Sequence, residues 1–264
     1  MMQPPLPISV AVVTLNEEEN LPRCLESVRG LARQIVVLDC GSTDATKEAA
    51  LEFGAEFHFA PWTGYVSQKN KCLALCTQPW ALCLDADEAL SPELGQSIRA
   101  LFASGEPPLD GYQLNRRTFY LGAWICHSWY PEWRLRLVRK GGAAWTGLDP
   151  HDYLEVSGPS GQLQGDLLHY SFRDLHDHLQ RTLKYGRLMA QSYHERGRRF
   201  HWGQLLISPW LSFFKHLLVK SGWRDGWRGW LIAFSKWLDV FAKYAFLLEI
   251  ERTSSSKKSI SPRD

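Results

Sequence analysis

Several patterns that define large classes of proteins are missing from this sequence. Its 6 cysteines form no CxxC pair and show no zinc-like spacing with histidine, which favours buried free thiols in a reducing cytosol. The phosphate loops GxGxxG and GxxxxGKS/T are both absent, which argues against a dinucleotide dehydrogenase or a P-loop NTPase. There is no run of 18 uncharged apolar residues and no basic, apolar start, so we expect neither a spanning helix nor a secretory signal.

Charge is unevenly distributed along the chain. The net charge of the 264 residues is only +2. Residues 1–100 carry 7 Lys/Arg against 13 Asp/Glu, a balance of −6, whereas residues 181–228 carry 10 against 2, a balance of +8. This asymmetry predicts a basic surface that meets an anion, either nucleic acid or an acidic membrane.

The first 90 residues alternate between short apolar runs and helical patterns. The runs ISVAVVTL, QIVVLD, GAEFHFA and WALCLDAD are typical of strands, and the segments between them place apolar residues at helical spacing. This alternation predicts an α/β fold with a mostly parallel sheet and helices on both faces. After Pro92 we expect antiparallel strands that extend the sheet, and from about residue 175 mostly helix.

Polar side chains follow three of these strands. They are Asn16 and Glu17, then Asp39 and Asp44, then Asp85 and Asp87. Because ligands bind at the carboxyl ends of parallel strands, three such clusters on one edge predict a single site. The pair Asp85-x-Asp87 suits a hard divalent cation that bridges phosphates, although a solvated turn before a capped helix explains it as well. Asp39 fits either a hydrogen bond to a nucleobase or sugar, or turn formation and helix capping.

Four ordered motifs resemble a known family. The segments VAVVTLNEEENLPRCLESV, IVVLDCGSTDATKEAA, QKN and LCLDADE together look like a family 2 glycosyltransferase with a GT-A fold. Further along, WTGLDPHDYLEV, LLHYS and the segment from KSGWRDGW to FLLE resemble a subgroup that includes the lipopolysaccharide core β-1,4-glucosyltransferases of Gram-negative bacteria. The resemblance covers nearly the whole chain except the tail. It implies a Rossmann-like sheet, a UDP-sugar donor and Mg²⁺ or Mn²⁺.

Carried over to this sequence, the resemblance assigns roles to the strand-end residues. Asp39 would recognise uracil, Asp85 would contact the ribose or donor sugar, and Asp87 would bind the cation held by the diphosphate. His169 would complete the metal shell beside Asp87 and Asp85 or meet a phosphate, unless it is a structural histidine. The other residues expected at the nucleotide-sugar pocket are Thr14, Asn16, Glu17, Lys69, Asn70 and Arg136.

An inverting transfer needs a carboxylate that takes the proton of the acceptor hydroxyl. The subgroup usually has a His-Glu pair where this chain has His151-Asp152, so Asp152 is the expected catalytic base. A loop capped by Asp149 or Asp152 is the structural alternative. Arg134 and Arg136 suit contact with a phosphate, and alternating exposed arginines on a strand explain them equally well.

The last third of the chain carries a long aromatic stripe at helical spacing. It runs from Trp223 to Leu248, and the charged residues lie largely off it. The pattern favours contact with an anionic membrane surface, and the alternative is packing on the catalytic domain or on a second subunit. We therefore expect a catalytic domain over residues 1–200, amphipathic helices over 201–251 and a disordered tail over 252–264.

These observations and the resemblance together predict a function. The chain is expected to be a metal-dependent, inverting glycosyltransferase that moves a sugar, glucose by resemblance, from a UDP-sugar to a lipid-linked saccharide such as lipopolysaccharide core. It would be cytoplasmic and peripheral on the inner face of the bacterial plasma membrane, alone or as an oligomer, and without nucleic acid. The QxxRW signature is absent, which favours one sugar per event. The alternatives are a nucleic-acid-binding protein that uses the basic C-terminal region, and an inactive transferase fold that serves as a membrane scaffold.

Overall fold

Four parallel strands form one half of the main sheet. The computed structural model describes residues 4–103, 105–148 and 151–259. The strands of this half are β1 (Leu6–Thr14), β2 (Ala32–Asp39), β3 (Glu56–Phe59) and β4 (Trp80–Asp85). They lie in the order β3-β2-β1-β4, and each neighbouring pair is parallel. The prediction of a parallel sheet from these apolar runs is confirmed, because their residues suit strands that are buried on both faces.

The second half of the sheet is mixed. The remaining strands are β5 (Glu88–Leu90), β6 (Gly111–Tyr120), β7 (Ala123–Trp124), β8 (Trp133–Arg139), β9 (Ala143–Leu148), β10 (His151–Val156) and β11 (Ser160–His169). Beyond β4 the order continues β8-β6-β11-β5, and only the β6–β11 pair is parallel. Strand β7 pairs with the end of β6, while β9 and β10 form a separate antiparallel hairpin.

Helices cover both faces of the parallel half. They are α1 (Leu21–Ser27), α2 (Thr46–Glu52), α3 (Tyr65–Leu75) and α4 (Pro92–Ala103). Val10 and Val12 of β1 pack into one apolar cluster with residues of α1, α2 and α4. Ala11, between them, packs into a second cluster with Cys72 of α3. Since adjacent residues of a strand point to opposite faces, this division confirms the predicted layers.

Two compact units make up the chain. Unit 1 comprises Met1–Thr118 and Pro131–Ser171, and unit 2 comprises Phe119–Tyr130 and Phe172–Asp264. The domain boundary expected at residue 200 falls inside unit 2, because helix α5 (Leu175–Glu195) packs along helix α8 (Trp227–Ser259). A Cβ on Gly186 of α5 would lie 3.2 Å from the Ala242 side chain of α8, so the glycine allows the two helices to approach closely.

Short helical segments precede α8 in unit 2. They are α6 (Trp202–Leu206), α7 (Ser208–Phe214), a π-helical turn at Lys215–Val219 and a 3-10 turn at Gly222–Asp225. Among the described residues we find no helix with the length and apolar character of a membrane span. Helix α8 continues past the boundary expected at residue 251, and residues 260–264 of the expected tail lie outside the described residues.

Candidate active site

The carboxyl ends of β1, β2 and β4 meet at one edge of the sheet. Thr14 pairs in register with Asp39, and Val13 pairs with Asp85. The polar residues that follow these strands therefore share one edge, as the sequence pattern predicts. Their hydrogen bonds and ion pairs decide what each of them does there.

Asp39 closes the turn that follows β2. It is buried, at 3% exposure, and its Oδ1 accepts hydrogen bonds from the backbone N–H groups of Gly41 and Ser42, both at 2.8 Å. Its Oδ2 accepts from the hydroxyl of Thr14 at 3.0 Å and from the hydroxyl of Ser42. Burial would raise the pKa of Asp39, but these bonds outweigh it and hold the pKa below its ordinary value. Four donors already occupy the carboxylate, so the expected contact with uracil would have to replace one of them.

Asn16 and Glu17 tie the loop after β1 to the loop after β2. Asn16 has a left-handed backbone, with φ of 56°, which asparagine tolerates better than most residues. Its side-chain oxygen accepts from the backbone N–H of Thr43 at 2.9 Å, and the backbone N–H of Glu17 donates to the Thr46 hydroxyl at 2.8 Å. Asp44 accepts from the backbone N–H of Thr46 at 3.1 Å, in keeping with a capping role. These residues hold the two loops against each other.

Lys69 of α3 joins two carboxylates with different expected roles. Its Nζ lies 2.8 Å from Asp85 Oδ1 and 2.8 Å from Asp152 Oδ2. It also lies 4.3 Å from the centroid of the Trp145 ring, which is a cation–π contact. Burial would lower the pKa of Lys69, but the two carboxylates hold it above its ordinary value and the ammonium stays charged. The candidate base and the donor-side aspartate thus share one cation.

The β9–β10 hairpin, which carries Asp152, is fastened to α3. The side-chain amide of Asn70 donates to the carbonyl oxygen of Trp145 at 2.8 Å and accepts from the Trp145 backbone N–H at 2.9 Å. Both ends of this amide face the hairpin, and the expected contact of Asn70 with nucleotide or sugar stays a prediction. Lys69 and Asn70, consecutive on α3, together set the position of Asp152. Asp149, the other carboxylate considered for this loop, lies outside the described residues.

A row of alternating charges continues from Asp85 into the sheet. Arg136 donates through Nη2 to Asp85 Oδ2 at 2.6 Å and to Glu88 Oε1 at 2.7 Å. Arg116 donates to Glu88 at 3.3 Å and, through Nε and Nη2, to the two oxygens of Glu132 at 2.9 and 3.0 Å. Glu88 is fully buried and Arg136 is 4% exposed. Such buried charges are tolerated only when each has an opposite partner, as it has here.

These pairs explain how one strand end accommodates several carboxylates. Burial would raise the pKa of Asp85, but Arg136 and Lys69 hold it well below its ordinary value. Burial likewise acts to raise the pKa of Glu132, and its arginine neighbours, chiefly Arg116, lower it to about 2. The two oxygens of Asp85 each face a cation of the protein itself. Asp85 and Arg136 are therefore engaged with each other in this structure, and their expected roles as metal ligand and phosphate contact stay predictions.

Asp87 and His169 form a second pair near the same edge. His169 Nε2 lies 3.4 Å from Asp87 Oδ2, and the Thr118 hydroxyl lies 3.3 Å from His169 Nδ1. Burial would raise the pKa of Asp87, but the nearby His169 outweighs it and the pKa lies below its ordinary value. Within the described ranges, no three or more His, Cys, Asp and Glu side chains group as a ready metal site.

The Asp87–His169 pair nevertheless fits two positions around a divalent cation. Asp87 Oδ2 and His169 Nε2 lie 3.4 Å apart, so both side chains would be able to hold one divalent cation. The carboxylate suits Mg²⁺ or Mn²⁺, and the imidazole, a softer ligand, favours Mn²⁺ of the two. Thr118 fixes the other imidazole nitrogen, as outer partners of metal ligands do. A donor diphosphate would supply further oxygen ligands to such a cation.

Two residues of this network escape sequence reasoning. Arg116 and Glu132 lie outside every recognised motif and meet only because β6 pairs with β8. A partial signal is available in Arg136, a charge inside the apolar run Leu135–Val138, because a buried arginine requires acidic partners. That signal indicates a partner and does not say which one.

The sequence comparisons point to one family. The model of a family described as "Glycosyl transferase family 2" matches residues 9–141. The lipopolysaccharide core biosynthesis glycosyltransferase LpsC of Rhizobium meliloti is 32% identical over 254 residues, which cover 93% of this chain and 92% of LpsC. An uncharacterized glycosyltransferase of Rickettsia typhi is 26% identical over 268 residues, which cover 97% of this chain and 91% of that protein.

Similarity to solved structures is weaker. Glucosyl-3-phosphoglycerate synthase from Mycobacterium tuberculosis, solved with Mn²⁺, UDP and glucosyl-3-phosphoglycerate, is 26% identical with a TM-score of 0.34, and the match covers 44% of each chain. TarS of S. aureus is 13% identical with a TM-score of 0.49, and the match covers 93% of this chain and 91% of that one. At these TM-scores neither structure carries an argument about the site.

Proposed function

The chain belongs to glycosyl transferase family 2, and we propose that it transfers a sugar, glucose, from a UDP-sugar to a lipid-linked saccharide. The membership confirms the predicted enzyme class and, with the parallel half of the sheet, the GT-A fold. The observation that carries the proposal is the position of Lys69. Its ammonium lies 2.8 Å from Asp85, on the donor side, and 2.8 Å from Asp152, the candidate base.

Asp152 is the general base in this proposal. The acceptor hydroxyl oxygen forms a bond to the anomeric carbon, and its proton passes to Asp152. The bond between that carbon and the diphosphate breaks, and UDP leaves with the electron pair. The side chain of Asp152 is only 9% exposed, so little water competes for its carboxylate, and its contact with Lys69 fixes its direction.

Lys69 also occupies this base, because its ammonium holds Asp152 Oδ2 in an ion pair at 2.8 Å. In the proposed cycle, a diphosphate oxygen of the donor replaces Asp152 as a partner of Lys69. A diphosphate carries more negative charge than one carboxylate, so a buried ammonium is drawn to it. Donor binding then precedes activation of the acceptor.

Asp87 and His169 are the residues that would hold Mg²⁺ or Mn²⁺ together with the donor diphosphate. A cation there supplies positive charge against the negative charge that develops on the leaving group. The protein's part is to present the Asp87 carboxylate and to orient His169 through the Thr118 hydroxyl. Asp39 and Asn16 serve the nucleotide pocket by holding the loops after β1 and β2 in place.

The proposed acceptor is a lipid-linked saccharide such as lipopolysaccharide core, reached from the cytoplasm at the inner face of the bacterial plasma membrane. Support comes from the relative LpsC, whose name assigns it to lipopolysaccharide core biosynthesis. A lipid anchor keeps such an acceptor in the bilayer, so its enzyme has to reach the membrane surface. Membership in an enzyme family is the reason to prefer this function to nucleic-acid binding.

A transfer assay with purified protein, Mn²⁺, a lipid-linked core acceptor and a panel of UDP- and GDP-sugars tests the proposal. We expect product from UDP-glucose with inversion at the anomeric carbon, and slower release of UDP when the acceptor is omitted. Transfer from GDP-sugars alone would contradict the donor. Retention of the anomeric configuration would contradict the single-base mechanism.

A further inference from the structure

Unit 2 exposes an apolar surface over residues 202–234, which comprises α6, α7, the first two turns of α8 and the turns between them. We call it the basic apolar face. It carries twelve large apolar side chains that are 47% to 79% exposed. Five of them are tryptophans, at positions Trp202, Trp210, Trp223, Trp227 and Trp230. Single exposed apolar residues are ordinary on a soluble protein, whereas a concentration of this kind marks an interaction surface.

Buried contacts hold these exposed side chains on fixed helices. Phe213 of α7, Leu217 of the π-helical turn and Ala233 of α8 form a buried apolar cluster. The Phe213 ring lies 4.8 Å from the ring of Phe234 and 6.2 Å from that of Trp230, measured between centroids. The inner sides of α7 and α8 therefore pack together, and their outer apolar side chains are displayed by a supported backbone.

The charge on this surface has one sign. Every exposed Lys, Arg, Asp or Glu side chain between residues 202 and 234 is basic. These side chains are Lys215, Lys220 and Arg224. The one acid in this stretch, Asp225, is not exposed, and its carboxylate accepts from the backbone N–H groups of Cys126, His127 and Ser128 at 3.0 to 3.2 Å. The surface thus offers apolar area and positive charge with no exposed compensating acid.

We infer that the basic apolar face binds an anionic phospholipid bilayer. Tryptophan rings favour the headgroup level, and Lys and Arg are drawn to anionic headgroups, so the composition is that of helices that lie in a membrane interface. A second copy of the chain is disfavoured, because a two-fold contact would bring two sets of basic side chains together. A nucleic acid would use the basic side chains but leave Leu206, Ile207 and Leu211 in water.

This face differs from the aromatic stripe expected from the sequence. Beyond Phe234, the side of α8 next to the stripe packs on α5, while the ring of the stripe residue Trp237 lies 5.7 Å from the Trp210 ring of α7. The Ala242 side chain faces Gly186, and the Tyr244 ring lies 6.5 Å from the Tyr193 ring. The sequence predicts a membrane or subunit contact over residues 201–251, and the basic apolar face is the part of it made of α6, α7 and the beginning of α8.

The inference deepens the proposed function by naming the surface that brings the enzyme to a lipid-linked acceptor. The inference rests on that function only to explain why the enzyme would bind a membrane, since binding to lipid requires no catalysis. Failure of the transfer assay and failure of vesicle binding are therefore separate results.

Cosedimentation of the full chain with vesicles tests the inference. Wild type should bind vesicles of phosphatidylcholine and phosphatidylglycerol at low salt, and bind pure phosphatidylcholine more weakly. The variant Leu211→Ser/Phe214→Ser, at positions 65% and 48% exposed, should bind the anionic vesicles roughly tenfold more weakly. The matched control Leu51→Ser/Phe59→Ser, at unit 1 positions 53% and 67% exposed, should bind like wild type.

A charge variant separates the electrostatic part from the apolar part. Lys215→Glu/Lys220→Glu should lose the preference for anionic vesicles while its thermal unfolding and its hydrolysis of UDP-sugar in solution stay at wild-type values. The inference is overturned if wild type ignores anionic vesicles at low salt. It is also overturned if Leu211→Ser/Phe214→Ser only dissolves an oligomer, or if the lysine reversal abolishes oligonucleotide binding and leaves vesicle binding intact.

Discussion

Unit 1 buries charged side chains that most proteins keep in water, whereas unit 2 exposes aromatic side chains that most proteins bury. In unit 1, Glu88 is fully buried and Arg136 is 4% exposed. In unit 2, Trp202 is 59% exposed and Trp227 is 56% exposed. Each arrangement costs free energy in isolation, and each is concentrated where a function is proposed.

The two departures are compensated in different ways. The buried charges of unit 1 have opposite partners within the protein, from Asp152 through Lys69 and Asp85 to Arg136. The exposed rings of the basic apolar face are removed from water only when a lipid surface covers them. We therefore expect substitutions in the charged row to change chemistry and stability, and substitutions on the face to change location alone.

The largest effect is expected at Asp87. The Asp87→Ala substitution removes the carboxylate proposed to hold the cation, so it should abolish transfer and remove the Mn²⁺ dependence of UDP binding. Calorimetric titration of UDP with and without Mn²⁺ measures the second effect. Glu48→Ala, an exposed acid on α2, is the control and should leave both properties unchanged. Mn²⁺-dependent UDP affinity that survives in Asp87→Ala would remove this residue from the metal site.

A smaller loss is expected at the base. Asp152→Asn keeps the shape of the side chain but cannot accept the proton, so turnover should fall roughly 10²-fold or more while UDP binding is kept. Steady-state kinetics with saturating donor give the turnover. The control is Glu155→Gln, on the same hairpin and exposed. If Glu155→Gln is slow and Asp152→Asn is close to wild type, the base is Glu155.

The parallel half of the fold is predictable because its signal is repeated in every strand. Runs such as residues 8–15 are apolar on both faces, and their period and length distinguish them from helices. The strand-end cluster is also predictable, because neighbouring parallel strands end at the same edge of the sheet. The roles of its individual residues are not predictable. The Asp39 carboxylate, for example, already accepts hydrogen bonds from the turn that it closes.

The charged row and the membrane face lie beyond the reach of sequence patterns for a different reason. Arg116 and Glu132 become neighbours only through tertiary strand pairing, which leaves no spacing rule in the chain. The stripe on α8 has one helical period throughout, yet Trp227 and Phe234 in its first turns are exposed, whereas Trp237 packs against α7. Periodicity identifies an apolar side of a helix, and it does not identify what covers that side.

Stability should respond to the outer part of the row. Burial acts to raise the pKa of Glu132, but Arg116 and, to a smaller extent, Arg134 lower it to about 2. A carboxyl group whose pKa is lowered in the folded state stabilises the fold at pH values above its ordinary pKa. This stabilisation is lost as the pH falls toward the folded-state pKa. Glu132→Gln should therefore reduce the free energy of unfolding at pH 7 by on the order of 2 kcal/mol, allowing for partial exposure.

Urea denaturation as a function of pH checks this prediction. The gap between wild type and Glu132→Gln should close as pH falls from about 4.5 toward 2. The control Glu106→Gln removes an exposed partner of Arg139 and should leave the free energy of unfolding close to that of wild type, since exposed ion pairs contribute little. A gap at Glu132 that does not change with pH would mean that packing, and not charge, stabilises this position.

Lys69 offers a test of coupling within unit 1. Lys69→Met removes the cation between Asp85 and Asp152 and leaves a chain of similar length, so kcat should fall roughly tenfold and the KM for donor should rise. Lys69→Arg restores the charge and should recover part of the donor affinity. A merely structural lysine would instead lower the melting temperature in both variants without this difference in KM.

The smallest expected effect compares one tryptophan from each unit. Trp227 of the basic apolar face is 56% exposed, and Trp62 of unit 1 is 45% exposed and packs edge-on against Tyr65 with centroids 4.7 Å apart. Trp227→Ser should weaken binding to anionic vesicles about threefold, because one interfacial tryptophan supplies only part of a large apolar contact. Trp62→Ser should leave vesicle binding unchanged, since exposure alone does not make a ring part of the face. Equal losses in both variants would show that aromatic exposure attracts lipid wherever it occurs, and the contrast between the two units would then reflect the number of exposed rings and not their location.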